Sequence, residues 1–220
     1  MFFRKDYAKP GPGIDRDEPE KTGAARLAEI FSIECVTLVK LNLLFLFSCL
    51  PVVTIPAAVF AMNHVTRMMV LDQPVTLLYH YKTAFQTKWK RACAAFFTVA
   101  ASLLFSGCGV WFYLRRAMTQ PVLLLPFMLC STVLLVTLLA STYFYGLLTT
   151  GRSFQECLRL SLLLGVGRPF RGALAAMAVY GSFLFALLEF PISGIYLLLM
   201  GFSVPCLLGE FFIRTELKRL

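Results

Sequence analysis

The sequence is poor in charged residues, and poorest in acidic ones. Asp, Glu, Lys and Arg make up 15% of the 220 residues, whereas hydrophobic residues make up 58%. A soluble chain of this size cannot hide so much apolar surface, which excludes most classes of soluble enzyme. The net charge of +9 would suit nucleic acid in a soluble protein, but here the basic residues lie between apolar segments. We therefore expect no nucleic-acid partner, and anionic membrane lipids as the partner instead.

The sequence also lacks the signatures of catalysis and of metal binding. It has two histidines, and its seven cysteines form no C-x-x-C pair and no zinc-type spacing. Nucleotide-binding, serine-hydrolase and metalloprotease motifs are missing too. We predict that the protein is not an enzyme, with no catalytic residue, no metal site and no cofactor.

Long apolar segments occupy most of the chain. About 20 apolar residues span a bilayer as a helix, and the windows 92–113, 121–150, 172–190 and 191–213 approach or exceed that length. The prediction is an all-α, polytopic membrane helix bundle over residues 24–220. Residues 1–23, rich in Pro, Gly and charge, are expected to form a flexible cytoplasmic tail.

The distribution of positive charge predicts the number of crossings. A single crossing over 36–62 gives five spans and divides the basic residues between the two sides. If the chain turns back between Pro51 and Pro56, residues 28–50 and 52–70 are separate crossings, and 18 of the 21 basic residues lie on one side. We predict about six crossings, with five as the alternative, in the plasma (inner) membrane with both termini cytoplasmic.

Two amphipathic inner helices are predicted in the large basic loops. The first, over 74–91, has an aromatic face opposite a basic one, which suits the head-group region. The second opens with the capping box Ser153-Phe-Gln-Glu156. Together they supply a candidate interfacial or partner surface made of Tyr81, Phe85, Trp89, Arg91, Arg159, Arg168 and Arg171.

A weak internal repeat relates residues 51–112 to 131–190. The segment Lys88-Trp-Lys-Arg-Ala matches Arg168-Pro-Phe-Arg-Gly at an offset of 80 residues, and each closes an inner helix and opens a crossing. Repeats of this kind occur in transport proteins.

Polar side chains inside the apolar segments form the second candidate site, because a charge in hydrocarbon costs roughly 2.5 to 3.5 kcal/mol. For His64 the alternative is simple helix packing, and for Lys40 it is extension to the head groups. Glu189 and Glu210 are expected at opposite membrane surfaces, in contact with water. The candidate intramembrane cluster comprises Glu34, Lys40, Asn42, Asn63, His64 and Arg67.

Two segments carry a family resemblance. The run from Leu38 through Asn42 to the Pro51-Val-Val-Thr-Ile-Pro56 turn, followed by Phe85-Gln-Thr-Lys-Trp-Lys-Arg-Ala92, resembles the YesL-like family of bacterial membrane proteins, a domain of unknown function. The family pattern has Gly where this chain has Pro56.

The resemblance implies an accessory role in sugar uptake, because members of the family are encoded beside carbohydrate ABC importers. Importer subunits are then the expected protein partners. The permease loop pattern E-A-A-x-x-x-G is absent after Glu156, so we expect an accessory or assembly component of carbohydrate ABC uptake and not a permease. The alternative is a stand-alone small-solute transporter.

Overall fold

Every regular element that the computed structural model describes is helical. It describes residues 23–117, 120–189, 191 and 193–217, so the predicted tail lies outside the described residues except for Gly23. The α-helices are α1 (Ala24–Ser48), α2 (Ile55–Val70), α3 (Leu77–Thr87), α4 (Trp89–Ala117), α5 (Leu124–Leu148), α6 (Phe154–Gly167), α7 (Pro169–Ala176), α8 (Ser182–Leu188), α9 (Gly194–Leu199) and α10 (Ser203–Leu217).

Among the described residues, four helices are long and apolar enough to cross a membrane. They are Ala24–Ser48, Trp89–Arg116, Leu124–Leu148 and Pro169–Leu188, the last formed by α7 and α8 joined through a π-helical turn at Met177–Gly181. The all-α fold with membrane helices is therefore confirmed. The predicted second and sixth crossings are not continuous long helices: α2 has 16 residues, and the final segment is divided into α9 and α10.

The chain turns back after α1 at the paired prolines. Val52–Thr54 form one 3₁₀ turn, and Pro56 stands in the first turn of α2, where its missing N–H breaks no helical hydrogen bond. The Thr54 hydroxyl donates to the carbonyl of Ser48. Because Arg26, near the start of α1, pairs with Asp72, just beyond the end of α2, the two helices run antiparallel.

The repeat stays a prediction, but the helix boundaries follow the order that it requires. Each segment has a helix (α2 or α5), a shorter helix (α3 or α6) and a long crossing (α4 or α7–α8). A single residue joins the second and third elements in both segments, Lys88 in the first and Arg168 in the second. Trp89 and Pro169 thus start equivalent helices 80 positions apart.

Close packing of α5 against α6 and α7 forms much of the core. A Cβ atom on Gly165 would lie 3.2 Å from the backbone nitrogen of Ala140, and one on Gly172 would lie 2.8 Å from the Tyr143 ring. The Tyr143 hydroxyl donates to the Arg168 carbonyl at 3.1 Å. Glycine at these two positions therefore lets the helices approach closely.

The other ends of α4 and α5 extend away from the core as a hairpin. Phe105 is 84% exposed and Val122 is 85% exposed, which fits contact with lipid chains. Near the end of α4, the guanidinium of Arg115 lies 4.7 Å from the Trp111 ring centroid. Aromatic and basic residues of this kind are typical of the edge of a bilayer.

Candidate membrane-embedded site

Asn42 is completely buried in α1 and joins the two halves of the broken final segment. Its amide nitrogen donates to the carbonyls of Leu197 and Leu198, at 2.9 and 2.7 Å. Its amide oxygen accepts from the backbone N–H groups of Phe202 and Ser203, at 2.9 and 3.2 Å. Both donors and both acceptor positions of the side chain are used.

The consequence is that one side chain caps two helix ends at once. The carbonyls at the end of α9 and the N–H groups at the start of α10 lack helical partners because the chain breaks between them. In hydrocarbon each unsatisfied backbone group costs several kcal/mol. Gly201 makes the break tight, since a Cβ there would lie 2.5 Å from the Leu197 Cα.

Arg67 caps the carboxyl end of α5. Its guanidinium donates to the carbonyl of Gly146 and, at 3.1 Å, to the hydroxyl of Thr149. The carbonyl end of a helix carries partial negative charge, so a cation is favourable there. Arg67 thereby links α2 to α5.

Glu210 lies inside the bundle, so the expectation of a water-contacting residue at the membrane surface was wrong. It is 3% exposed on α10, and the positive charge of Arg67 acts on it. An acidic residue within an apolar segment faces the protein interior when helices pack around it, because lipid cannot solvate the carboxylate.

A largely apolar cavity of about 450 Å³ lies beside Glu210. Helices α2, α4, α5, α7–α8 and α10 surround it, and α1 contributes Phe45. Few polar side chains reach it. Among them are Asn63, Glu210 and the Ser141–Tyr180 pair, whose hydroxyl oxygens are 2.6 Å apart.

No described hydrogen bond joins two of the six predicted cluster residues. Asn42 and Arg67 hold different helix ends, and Asn63, which lines the cavity, donates to the Val59 carbonyl of its own helix at 2.8 Å. His64 stacks on the Phe60 ring at 6.5 Å between centroids. Lys40 is exposed, and Glu34 lines a separate groove near Arg26 and Asp72.

The predicted surface residues divide into two groups. Tyr81 is 3% exposed, and burial raises the pKa of its phenol to about 12, against a smaller opposing effect of the Ser48 hydroxyl. Phe85 and Trp89 are half-buried, with ring centroids 5.9 Å apart. Tyr81 and Phe85 therefore pack α3 against the bundle, whereas the sequence predicted that the aromatic face of this helix meets the head groups.

The arginines of this predicted surface are the outward-facing group. Arg91, Arg159 and Arg168 are exposed, while Arg171 is half-buried. Arg91, Arg168 and Arg171 lie at the junctions that open α4 and α7, whereas Arg159 lies within α6.

The capping box that opens α6 is confirmed. The Ser153 N–H donates to Glu156 Oε2 at 3.1 Å, and the Glu156 N–H donates to the Ser153 hydroxyl at 3.4 Å. These hydrogen bonds hold the pKa of Glu156 below its usual value. The box fixes where α6 begins and therefore which of its faces points outward.

The outward face of α6 combines arginine with large apolar residues. Leu162, Leu163 and Val166 are 44%, 70% and 65% exposed and share one helical stripe with Arg159. The opposite stripe, which includes Cys157 and Ser161, is buried against the bundle. We refer to Arg159, Leu162, Leu163 and Val166 as the α6 stripe.

Sequence reasoning missed the cavity residues Glu210, Tyr180 and Cys206. The Cys206 thiol lies 3.3 Å from the Thr66 hydroxyl in the wall of the cavity. An acid in an apolar run was the signal available for Glu210, whereas nothing local marks the other two. Within the described ranges, no three His, Cys, Asp or Glu side chains are grouped so as to hold a metal ion.

Residues 38–109 match the family model described as "Protein of unknown function, DUF624". YesL-like proteins belong to this family, so the resemblance found in the sequence is confirmed. The matched segment runs from the middle of α1 into α4 and contains both Asn42 and Arg67. No curated protein and no solved structure matches the chain.

Proposed function

We propose that the chain is a non-enzymatic integral membrane protein that serves as an accessory or assembly component of carbohydrate ABC uptake. The observation that carries this proposal is the α6 stripe, where exposed leucines and valine adjoin an exposed arginine. A helix face of this composition suits docking to another protein, because arginine is enriched at interfaces and exposed apolar side chains gain free energy when a partner buries them. The association with carbohydrate importers comes from the YesL-like resemblance.

We further propose six crossings in the plasma membrane with both termini cytoplasmic. In this topology α2 is the short second crossing, and α9 and α10 form a broken sixth one. Support comes from Asn42, which satisfies the backbone groups that the break would otherwise expose to lipid. Broken helices occur in membranes where the protein interior supplies such partners.

Single cysteines in a cysteine-free variant test this topology. We expect an impermeant maleimide to label Arg116→Cys in intact cells and to spare Lys5→Cys and Glu216→Cys until the cells are opened. Labelling of Lys5→Cys from outside, with protection of Arg116→Cys, would overturn the orientation.

Co-purification in mild detergent tests the accessory role. Tagged protein is expected to retain importer permease or solute-binding subunits, and Arg159→Glu is expected to lose them. Arg115→Glu is the matched control, since it reverses an exposed arginine at the end of α4, far along the chain from the α6 stripe. Recovery of an uncomplexed monomer from the native host would count against the proposal.

The cavity favours a second candidate, a stand-alone small-solute transporter. It lies among helices that include a π-helical turn, Met177–Gly181, a feature common at functional sites. Solute flux into liposomes that contain this protein alone would support transport. Flux equal to that of protein-free liposomes would exclude the transporter function.

A further inference from the structure

We infer that the cavity between the two repeated segments is a binding site for an apolar organic cation, with Glu210 as its counter-ion. The inference concerns ligand binding and does not depend on the accessory role.

Equivalent positions of the two segments line the cavity. At the offset of 80 residues, four pairs of lining residues correspond: Met62 and Thr142, Val99 and Val179, Ala100 and Tyr180, and Leu103 and Phe183. The cavity is therefore placed between the two segments. In transporters built from repeats, binding sites lie at the interface between the repeats.

The burial pattern supports this correspondence independently of the cavity. Five residues between 77 and 108 are buried, and each has a buried residue 80 positions later. The pairs are Tyr81 and Ser161, Ala84 and Leu164, Ala92 and Gly172, Ala95 and Ala175, and Ser106 and Ala186. Two segments that bury equivalent positions pack on a common interior in equivalent ways.

The walls of the cavity select against a sugar. A carbohydrate needs many hydrogen-bonding groups, because a hydroxyl that is buried without a partner is unfavourable. The lining here is mostly aliphatic and aromatic. A volume of about 450 Å³ is within the usual range of small-molecule sites, roughly 300 to 1,000 Å³.

The charge inside the cavity selects a cation. Glu210 is the carboxylate among the lining residues. The positive charge of the neighbouring Arg67 also acts on Glu210, but Arg67 is not among the lining residues and directs its hydrogen bonds to Gly146 and Thr149. Three rings also form a wall, since the Phe202 centroid lies 5.1 Å from both Phe45 and Phe183. Aromatic faces attract cations, most strongly where water is excluded.

Binding of a permanently charged probe to the purified full-length protein tests the inference. The probe is radiolabelled (2-phenylethyl)trimethylammonium, measured by equilibrium dialysis. Its uncharged carbon isostere, (3,3-dimethylbutyl)benzene, is used as a competitor, and so is maltose. We expect competition by unlabelled cation, roughly tenfold or more weaker competition by the isostere, and none by maltose.

Two pairs of variants locate the site. Glu210→Gln is expected to weaken cation binding roughly tenfold or more, whereas Glu189→Gln, which neutralises an exposed glutamate, leaves it unchanged. Ala100→Phe fills the cavity and should abolish binding of the cation. Ala101→Phe adds the same ring on an exposed position of α4 and should not.

A photoreactive azide derivative of the cation adds a readout in the unsubstituted protein. We expect cross-links in peptides from α8 and α10. If Glu210→Gln does not fold, the Ala100 and Ala101 pair and the cross-links decide the question. Equal binding of cation and isostere would mean an apolar occupant such as a lipid chain, and would overturn the inference, as would unchanged binding in Ala100→Phe or cross-links elsewhere.

Discussion

The two halves of the α4–α5 hairpin have similar compositions but opposite surroundings. In the near half, residues 89–103 and 136–148, eight residues of α5 between Leu139 and Leu148 are buried against α2, α6, α7 and α10. In the far half, residues 104–117 and 120–135, Ser106 is the one buried residue among the side chains described. We call these the near half and the far half.

The difference shows that apolar composition does not report burial in a membrane helix. Lipid chains solvate leucine about as well as a protein core does, so both halves can be equally apolar. Polar connections mark the near half instead, as where Arg67 donates to the Gly146 carbonyl. Close glycine contacts occur in both halves, at Gly165 against Ala140 and at Gly109 against Cys130. The hydroxyls of Ser102 and Thr137, 3.1 Å apart, link α4 to α5 just outside the far half.

The largest effect is expected for Asn42, whose side chain belongs to the same packed core as the near half. Asn42→Leu would leave two carbonyls and two N–H groups without partners, and we expect the free energy of unfolding to fall by about 4 kcal/mol. Unfolding in mixed micelles with increasing SDS measures it. Asn63→Leu is the control, with a much smaller loss, because its amide bonds only within its own helix. Equal losses for the two variants would show that the hydrogen bonds from Asn42 to the ends of α9 and α10 do not stabilise the fold.

Truncated leucines test the comparison of the halves directly. Leu147 is 1% exposed and Leu125 is 74% exposed. Leu147→Ala should lower the free energy of unfolding by about 3 kcal/mol, because it leaves a cavity in the core. Leu125→Ala should change it by less than about 0.5 kcal/mol. A large loss for Leu125→Ala in the same micelles would place the far half in a protein interface.

Replacing glycine with a larger residue tests whether α5 and α6 pack closely in the near half. Gly165→Val should cost about 2 kcal/mol, because the new side chain meets the Ala140 backbone. Gly167→Val, two residues later, meets open space and should be nearly neutral. Thermal unfolding followed by circular dichroism compares the two, and matching melting temperatures would contradict the close approach of α5 and α6.

The smallest effect is expected where α6 begins, outside the hairpin. Ser153→Ala should cost about 1 kcal/mol at neutral pH through loss of the cap. The folded-state pKa of Glu156 is lowered, so its contribution is present above the unfolded-state pKa and is lost as the pH falls through the folded-state value. Unfolding measured from neutral to acidic pH should show the difference between the variant and the parent shrinking. A constant difference would mean that Glu156 takes no part.

Much of the fold could be predicted because its signals are local. Apolar length predicted the membrane helices, the paired prolines predicted the turn after α1, and Ser153 with Glu156 predicted the start of α6. The crossing count was harder, since α2 is short and the final segment is broken at Gly201. The length of an apolar segment does not reveal such a break. The backbone groups that the break leaves without helical partners are satisfied by the buried side-chain amide of Asn42, which is distant in the chain.

The candidate site was only partly predictable. Asn42 and Asn63 were recognised as polar residues within apolar helices, but Asn42 bonds to backbone groups between Leu197 and Ser203, distant in the chain, and Asn63 bonds to Val59 in its own helix. Glu210 was placed at the surface because a sequence position near the end of a span does not reveal which way a helix faces.

The sequence by itself determined that the chain is helical and membrane-embedded, since hydrocarbon requires helices with internally satisfied backbones, and this requirement is visible in composition and length. Only the tertiary structure decided which apolar faces meet protein and which are left for lipid. It also decided that Asn42 caps two helices and that Glu210 enters a cavity. These outcomes depend on contacts between residues distant in the chain, and hydropathy does not encode those contacts when lipid and protein interior are equally apolar.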